Sequence, residues 1–394
     1  MKITGLKTYK FSMPLGEPVR DPRTGELMGS SVKSWLFLKV ETDAGISGWG
    51  EGSVEWLVPP VEAMLHNFSR LLVGENPLRV AALCDDITDR LPWKGGPVLG
   101  TAVAAVNMAL YDIAGKAWDV PVHTILGGKR RDCVRVYGGM SMQSPEQAVE
   151  SALFAREKGY AGCKGNPLET RRWPMDDAAV DHAAACVAAV REAVGPEFDI
   201  LLDAHGSPTP ELGLAFAHRI APSRPLFLEE PSKWGSVDAL LAVSRRSPVP
   251  IATGEKLFTL REFKELTDRR ACAYLQPDIA HCFGITNMMA IAKLAEGAQM
   301  QMAPHNASGP LHLAASVHAD AAMPNFLIQE TPTACFDQFP RYVDHDWVIK
   351  DGYINVSDRP GLGLEVKERD IAKLPYEPMA YRQYRHEDGS WKGW

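Results

Sequence analysis

Residues Asp199–Gly206, DILLDAHG, decide how the chain folds. An apolar run ends on an aspartate and a histidine two residues apart, then stops at a glycine. Strand side chains alternate, so Asp203 and His205 are expected on the same side of the strand end. Seven other runs share that design: VRVYGGM (134–140), YAGCKGN (160–166), PLFLEEP (225–231), PIATGE (250–255), YLQPDIA (274–280), QMQMAPH (299–305) and NFLIQE (325–330). Amphipathic stretches such as MDDAAVDHAAACVAAVREAVG (175–195) separate them. Short apolar runs alternating with helical pattern predict parallel βα units, and eight such units close as a (β/α)8-type barrel.

The first hundred or so residues have a different texture. SWLFLKVETDAGISGWGE (34–51) alternates and turns at Asp43-Ala44-Gly45, which predicts an antiparallel hairpin. PLGEPVRDPRTGELMGSS (14–31) before it is rich in Gly, Pro and charge, as lid loops are. From Val61 to about Trp118 the pattern turns helical, so this part predicts an α+β domain. The 394 residues are 45% hydrophobic and 23% charged, with room for two or three domains. A net charge of −7 gives no reason to expect nucleic acid or an anionic membrane as partner. No apolar run is expected to reach the roughly 18 residues of a membrane span. The N-terminus lacks the apolar core of a signal peptide. Seven cysteines without a CxxC pair fit free thiols in a cytoplasm.

Barrel chemistry sits at the C-terminal ends of strands. Those ends carry Lys164 and Asn166, Asp203 and His205, Glu229 and Glu230, Glu255, Asp278, His305 and Glu330. From Asp203 onward they recur about every 25 residues, one βα unit apart, and so form a ring round one mouth. Asp203, Glu229 and Glu255 come from adjacent strands. Three converging carboxylates repel one another unless a cation lies between them. An all-oxygen set favours a hard ion, Mg²⁺ first and Mn²⁺ second. Taken singly, Glu229 or Glu230 could cap a helix and Glu255 could pair with Lys256; the spacing favours ligands. Glu229 is chosen over Glu230 because it alternates with Phe227, leaving Glu230 on the outer face. Asp278 and His305 end neighbouring strands, and a carboxylate bonded to an imidazole makes a general base.

The ordered set DAHG, FLEEP, GEKLF, QPD, APH and IQE, with GWGEG, MALYDIAGKAW, ILGGK and the tail YRHEDGSWKGW, resembles the enolase superfamily in its mandelate racemase branch. Within that branch it most resembles the D-galactonate dehydratase-like sugar acid dehydratases. The resemblance implies an α/β chain: an N-terminal α+β capping domain (1–125), a modified TIM barrel of (β/α)7β type (126–340) and a C-terminal segment returning to the cap (341–394). It implies Mg²⁺ on Asp203, Glu229 and Glu255. It implies a His305–Asp278 dyad that removes the proton α to a carboxylate, and Glu330 hydrogen-bonded to the enediolate. Racemases of the branch carry Lys-x-Lys after the second barrel strand; here Lys164 is followed by Asn166, which takes up no proton at neutral pH. That departure disfavours racemisation or cycloisomerisation. It brings forward His205, which in such dehydratases protonates the departing β-hydroxyl, while Lys164 and Asn166 bind substrate. The expected product is a 2-keto-3-deoxy acid. D-galactonate is the favoured substrate, with gluconate, arabinonate, fuconate and mannonate as alternatives. The resemblance also implies a small-molecule sugar acid partner and a homo-oligomer.

Overall fold

In the computed structural model of the chain, residues 1–18, 20, 25–27, 29–168, 177–383, 385–386 and 388–391 are described. Most of RDPRTGE in the expected lid loop and the last residues of the tail lie outside the described residues. Strands β1 (Ile3–Pro14), β2 (Val32–Thr42) and β3 (Ser47–Glu51) form one antiparallel sheet in that order, with the hairpin turn where the sequence places it. Helices α1 (Val58–Leu72), α2 (Val80–Asp89) and α3 (Pro97–Trp118), with the short α4 (Val122–Ile125), complete the N-terminal α+β domain.

The GWGEG motif explains how sheet and helix meet. A Cβ on Gly48 would lie 2.0 Å from the Ala109 carbonyl, and one on Gly50 would lie 1.9 Å from that of Ala105. Helix α3 therefore rests its backbone directly on β3, and no larger residue fits. Its own Ala-rich surface is buried on nearly every face. Contrary to the expectation from sequence, α3 is long and apolar enough to span a membrane, the one such helix among the described residues. Within the protein, 89% of its apolar window is buried, which marks a core helix.

The barrel strands are β4 (Cys133–Gly139), β5 (Gly162–Gly165), β6 (Asp199–Asp203), β7 (Phe227–Glu229), β8 (Ile251–Thr253), β9 (Tyr274–Leu275), β10 (Gln301–Met302) and β11 (Gln329–Glu330). Between them run α5 (Pro145–Glu157), α6 (Asp177–Val194), α7 (Pro210–Ile220), α8 (Val237–Ser244), α9 (Leu260–Arg269), α10 (Ile285–Gly297) and α11 (Pro310–Ala322). Consecutive strands pair in parallel from β4 to β10, and β11 pairs in parallel with β4. The ring closes where Leu327 N donates to Met302 O at 2.8 Å and Glu330 N to Pro304 O at 3.3 Å. Eight strands and seven intervening helices make a (β/α)7β barrel. Tyr137, Leu201, Phe227, Ala252, Ala303 and Ile328 fill its interior as a dry plug. Polar strand ends are thereby confined to one mouth.

Beyond β11, residues 361–366 (GLGLEV) begin against the N-terminal domain, where Gly361 bridges to Pro121 and Leu362 N donates to Asp112 Oδ1 at 2.9 Å, and end as β15 (Glu365–Val366), paired with β12 (Val343–Asp344). The hairpin of β13 (Ile349–Lys350) and β14 (Tyr353–Asn355) adds to β4, antiparallel. Residues further on also reach the N-terminal domain: Ser12 N of β1 donates to Pro375 O at 3.0 Å, and Trp56 Nε1, in the turn before α1, donates to Ala380 O at 3.1 Å.

Candidate active site

Parallel register sets Asp203 beside Glu229 at the ends of β6 and β7. Glu255 follows two residues after β8, past the turn at Gly254. Each of the three offers an oxygen within 4.8 Å of the others. Asp203 and Glu229 are buried. Burial and the neighbouring Asp203 carboxylate push Glu229 far above the usual carboxylate range. Burial acts the same way on its two partners but is outweighed: His205 and Lys164 hold Asp203 well below that range, and His305 and Lys256 hold Glu255 at about 2. Glu229 Oε1 is buried without a hydrogen-bond partner, while Oε2 accepts from Lys164 Nζ at 2.9 Å and Gln276 Nε2 at 2.7 Å. A buried, mutually repelling, all-oxygen set with an orphaned acceptor fits a hard divalent cation.

Lys164, on β5, is buried at the centre of this charge. Its Nζ lies 2.9 Å from Glu229, 3.1 Å from Glu330 and 3.5 Å from Asp203. Its ammonium is thus engaged by three carboxylates of the protein itself. Asn166 points to the other side. Its Oδ1 accepts from Leu168 N at 3.0 Å, which turns Nδ2 toward His205 Nδ1, 2.9 Å away. A donor facing Nδ1 leaves the proton of neutral His205 on Nε2, 3.0 Å from Asp203 Oδ2.

Asp203 and His205 do meet, though not by strand alternation. β6 ends at Asp203, and His205 sits in the left-handed region at φ 48°, its own N–H donating to Asp203 Oδ1 at 2.8 Å. A turn, rather than the pleat, folds the imidazole back onto the aspartate. Glu230 also departs from the pattern. At φ 43° it leaves the extended backbone of the strand, is buried, and pairs with Lys256, whose Nζ is 3.0 Å from Glu255 Oε1.

Opposite, a parallel bridge continues β9 and β10 to Asp278 and His305. His305 Nδ1 lies 2.7 Å from Asp278 Oδ2, and Nε2 faces Glu255 Oε2 at 3.2 Å and Glu330 Oε2 at 3.8 Å. Burial would lower the imidazole pKa, but these carboxylates raise it well above the usual value. Glu330, the last residue of β11, accepts from Asn306 N at 3.2 Å. The sequence reading assigned no role to Gln276, Asn306, His281 or His312. Gln276 was recoverable, because it alternates with Asp278 in QPD. The others sit on loops or helices, where strand alternation gives no signal.

Residues 16–127 match the mandelate racemase/muconate lactonizing enzyme N-terminal domain, and residues 146–370 match the enolase C-terminal domain-like family. The chain is 35% identical over its whole length, and the relative's whole length, to a D-galactonate dehydratase of Variovorax paradoxus. It is 33% identical, with the same coverage, to one of Ralstonia nicotianae. Among solved structures it is similar to an enolase of Agrobacterium radiobacter, a candidate galactarate dehydratase with sodium and L-malate bound. That match has a TM-score of 0.87 and 28% identity over 99% of both chains.

Proposed function

This chain belongs to the mandelate racemase/muconate lactonizing enzyme family of the enolase superfamily, and from that premise we propose that it is a sugar acid dehydratase, a hydro-lyase converting an aldonate to a 2-keto-3-deoxy acid. Asp203, Glu229 and Glu255 would hold Mg²⁺, which when bound offsets charge developing on the substrate carboxylate. His305 takes the C2 proton on Nε2, while Asp278 fixes Nδ1–H and steadies the imidazolium. Lys164 and the Glu330 carboxyl stand beside the enediolate oxygens. His205, whose pKa the Asp203 carboxylate raises against burial, gives a proton from its imidazolium to the 3-hydroxyl, which leaves as water, and the enol tautomerises to the keto acid.

One observation carries this reading. His205 follows the third barrel strand and His305 the seventh, four apart in a ring of eight, so two imidazoles address the carboxylate cluster from opposite sides. Asn166 occupies the place of a second lysine base, which argues for elimination over racemisation. D-galactonate is the first substrate to try, because it names the activity of two full-length relatives. Gluconate, arabinonate, fuconate and mannonate are the next. The test is purified protein with Mg²⁺ against a panel of aldonates, assayed for 2-keto-3-deoxy acids. Turnover that disappears on chelation and returns with Mg²⁺ is expected. No product from any aldonate by the metal-loaded protein would overturn the reading.

A further inference from the structure

Asp278 is surrounded by three histidines, and the proposed mechanism uses one. Its Oδ2 faces His305 Nδ1 at 2.7 Å and also His281 Nε2 at 3.7 Å. Its Oδ1 accepts from Ala280 N at 2.7 Å and faces His312 Nε2 at 3.5 Å. His312 is fully buried in α11, and neither ring nitrogen has a hydrogen-bond partner within ordinary geometry. Leaving an imidazole so placed is costly unless something offsets it. The polar group facing it is the dyad carboxylate, a few tenths of an ångström from a good hydrogen bond. Burial pushes the His312 pKa down to about 4, so it meets Asp278 as a neutral ring.

Both extra histidines are held by the N-terminal domain. His281 Nδ1 is hydrogen-bonded to Thr101 Oγ1 of α3 at 2.9 Å, and the same helix lies so close that a Cβ on Gly100 would be 2.3 Å from the His281 carbonyl. The backbone N–H of His312 donates to Glu51 Oε2 at 3.0 Å, and that of Gly309 to Glu51 Oε1 at 2.7 Å. Glu51 ends β3 and thereby caps α11, a helix of the other domain.

We propose that His281 and His312 are positioning residues for the general base, through which the N-terminal domain sets the plane of the Asp278 carboxylate and so the aim of His305. This rests on the assignment of His305 as base. A carboxylate bonded to Ala280 N and His305 and flanked by the two further imidazoles has little room to turn, which holds the His305 ring in the orientation that directs Nε2 at the C2 proton.

The test compares His312→Leu, His312→Gln and Thr101→Val with wild type on an aldonate carrying deuterium at C2. His312→Leu is expected to lower kcat roughly ten- to a hundredfold with KM nearly unchanged, and to enlarge the C2 isotope effect. His312→Gln, which restores an N–H, should recover much of the loss, and Thr101→Val should shift the same quantities less. Without substrate, the downfield proton resonance of the His305–Asp278 bond should move or broaden in His312→Leu. A fall in kcat with an unchanged isotope effect, or a wild-type proton resonance in that variant, would overturn the proposal. Thr101→Val covers the case in which His312→Leu does not fold. His305→Asn run alongside separates the two readings. If it keeps its activity, the base assignment itself is wrong; if it is inactive while the other variants behave as wild type, only the positioning role is.

Discussion

The two sides of the mouth each present a histidine, but by different means. On the base side, His305 extends a strand, and its aspartate is faced by residues tied to the N-terminal domain. On the acid side, His205 lies off the strand in a left-handed turn, followed by Gly206 at φ 66° and braced by Asn166. In the proposed mechanism, proton abstraction next to a carboxylate is the harder step, and it would fall to the more heavily supported group.

The largest effect should come from removing either histidine. His305→Asn should lower dehydration about 10²- to 10⁴-fold and abolish exchange of the C2 proton with solvent deuterium. His205→Asn should lower dehydration to a similar degree while exchange persists. Equal loss of exchange in both, followed by NMR in deuterium oxide, would erase the division between the sides.

A smaller effect concerns the support on the base side. Burial pushes Glu51 up from 4.5 to about 7, against the N–H groups it accepts from. The folded protein therefore holds that proton more tightly than the unfolded chain does. The resulting stability is present in full below pH 4.5 and is lost as pH rises through about 7. Relative to Glu51→Gln, wild type should lose up to roughly 3 kcal/mol over that window in urea unfolding. A difference independent of pH would show that Glu51 does not titrate there.

Smallest should be Gly206→Ala. A Cβ there sits in a strained conformation and 3.3 Å from the Ser232 carbonyl, at a cost of about 1–2 kcal/mol. Dehydration should fall several-fold with C2 exchange preserved. Loss of both together would mean that the turn supports the base as well.

The barrel was legible because its strands are apolar runs ending on polar residues, and that pattern marks both fold and mouth. Asp203, Glu229 and Glu255 were found by spacing alone, and the structure brings them within reach of one cation. Backbone torsion was not legible. His205 and Glu230 both take positive φ, so alternation does not describe how either side chain is placed. Long-range partners were hidden too. His281 and Thr101 are 180 residues apart, and nothing in the local pattern of either points to its partner.

Glu51 spans the boundary between two domains that look separable in sequence. Its carboxylate completes the first turn of α11, and that turn carries His312. Shuffling the N-terminal domain of one relative onto the barrel of another therefore exchanges more than a substrate lid. Recombination at this junction is expected to keep these contacts where the incoming domain brings an acid at the Glu51 position and a hydroxyl at that of Thr101. The two units should be engineered as a matched pair.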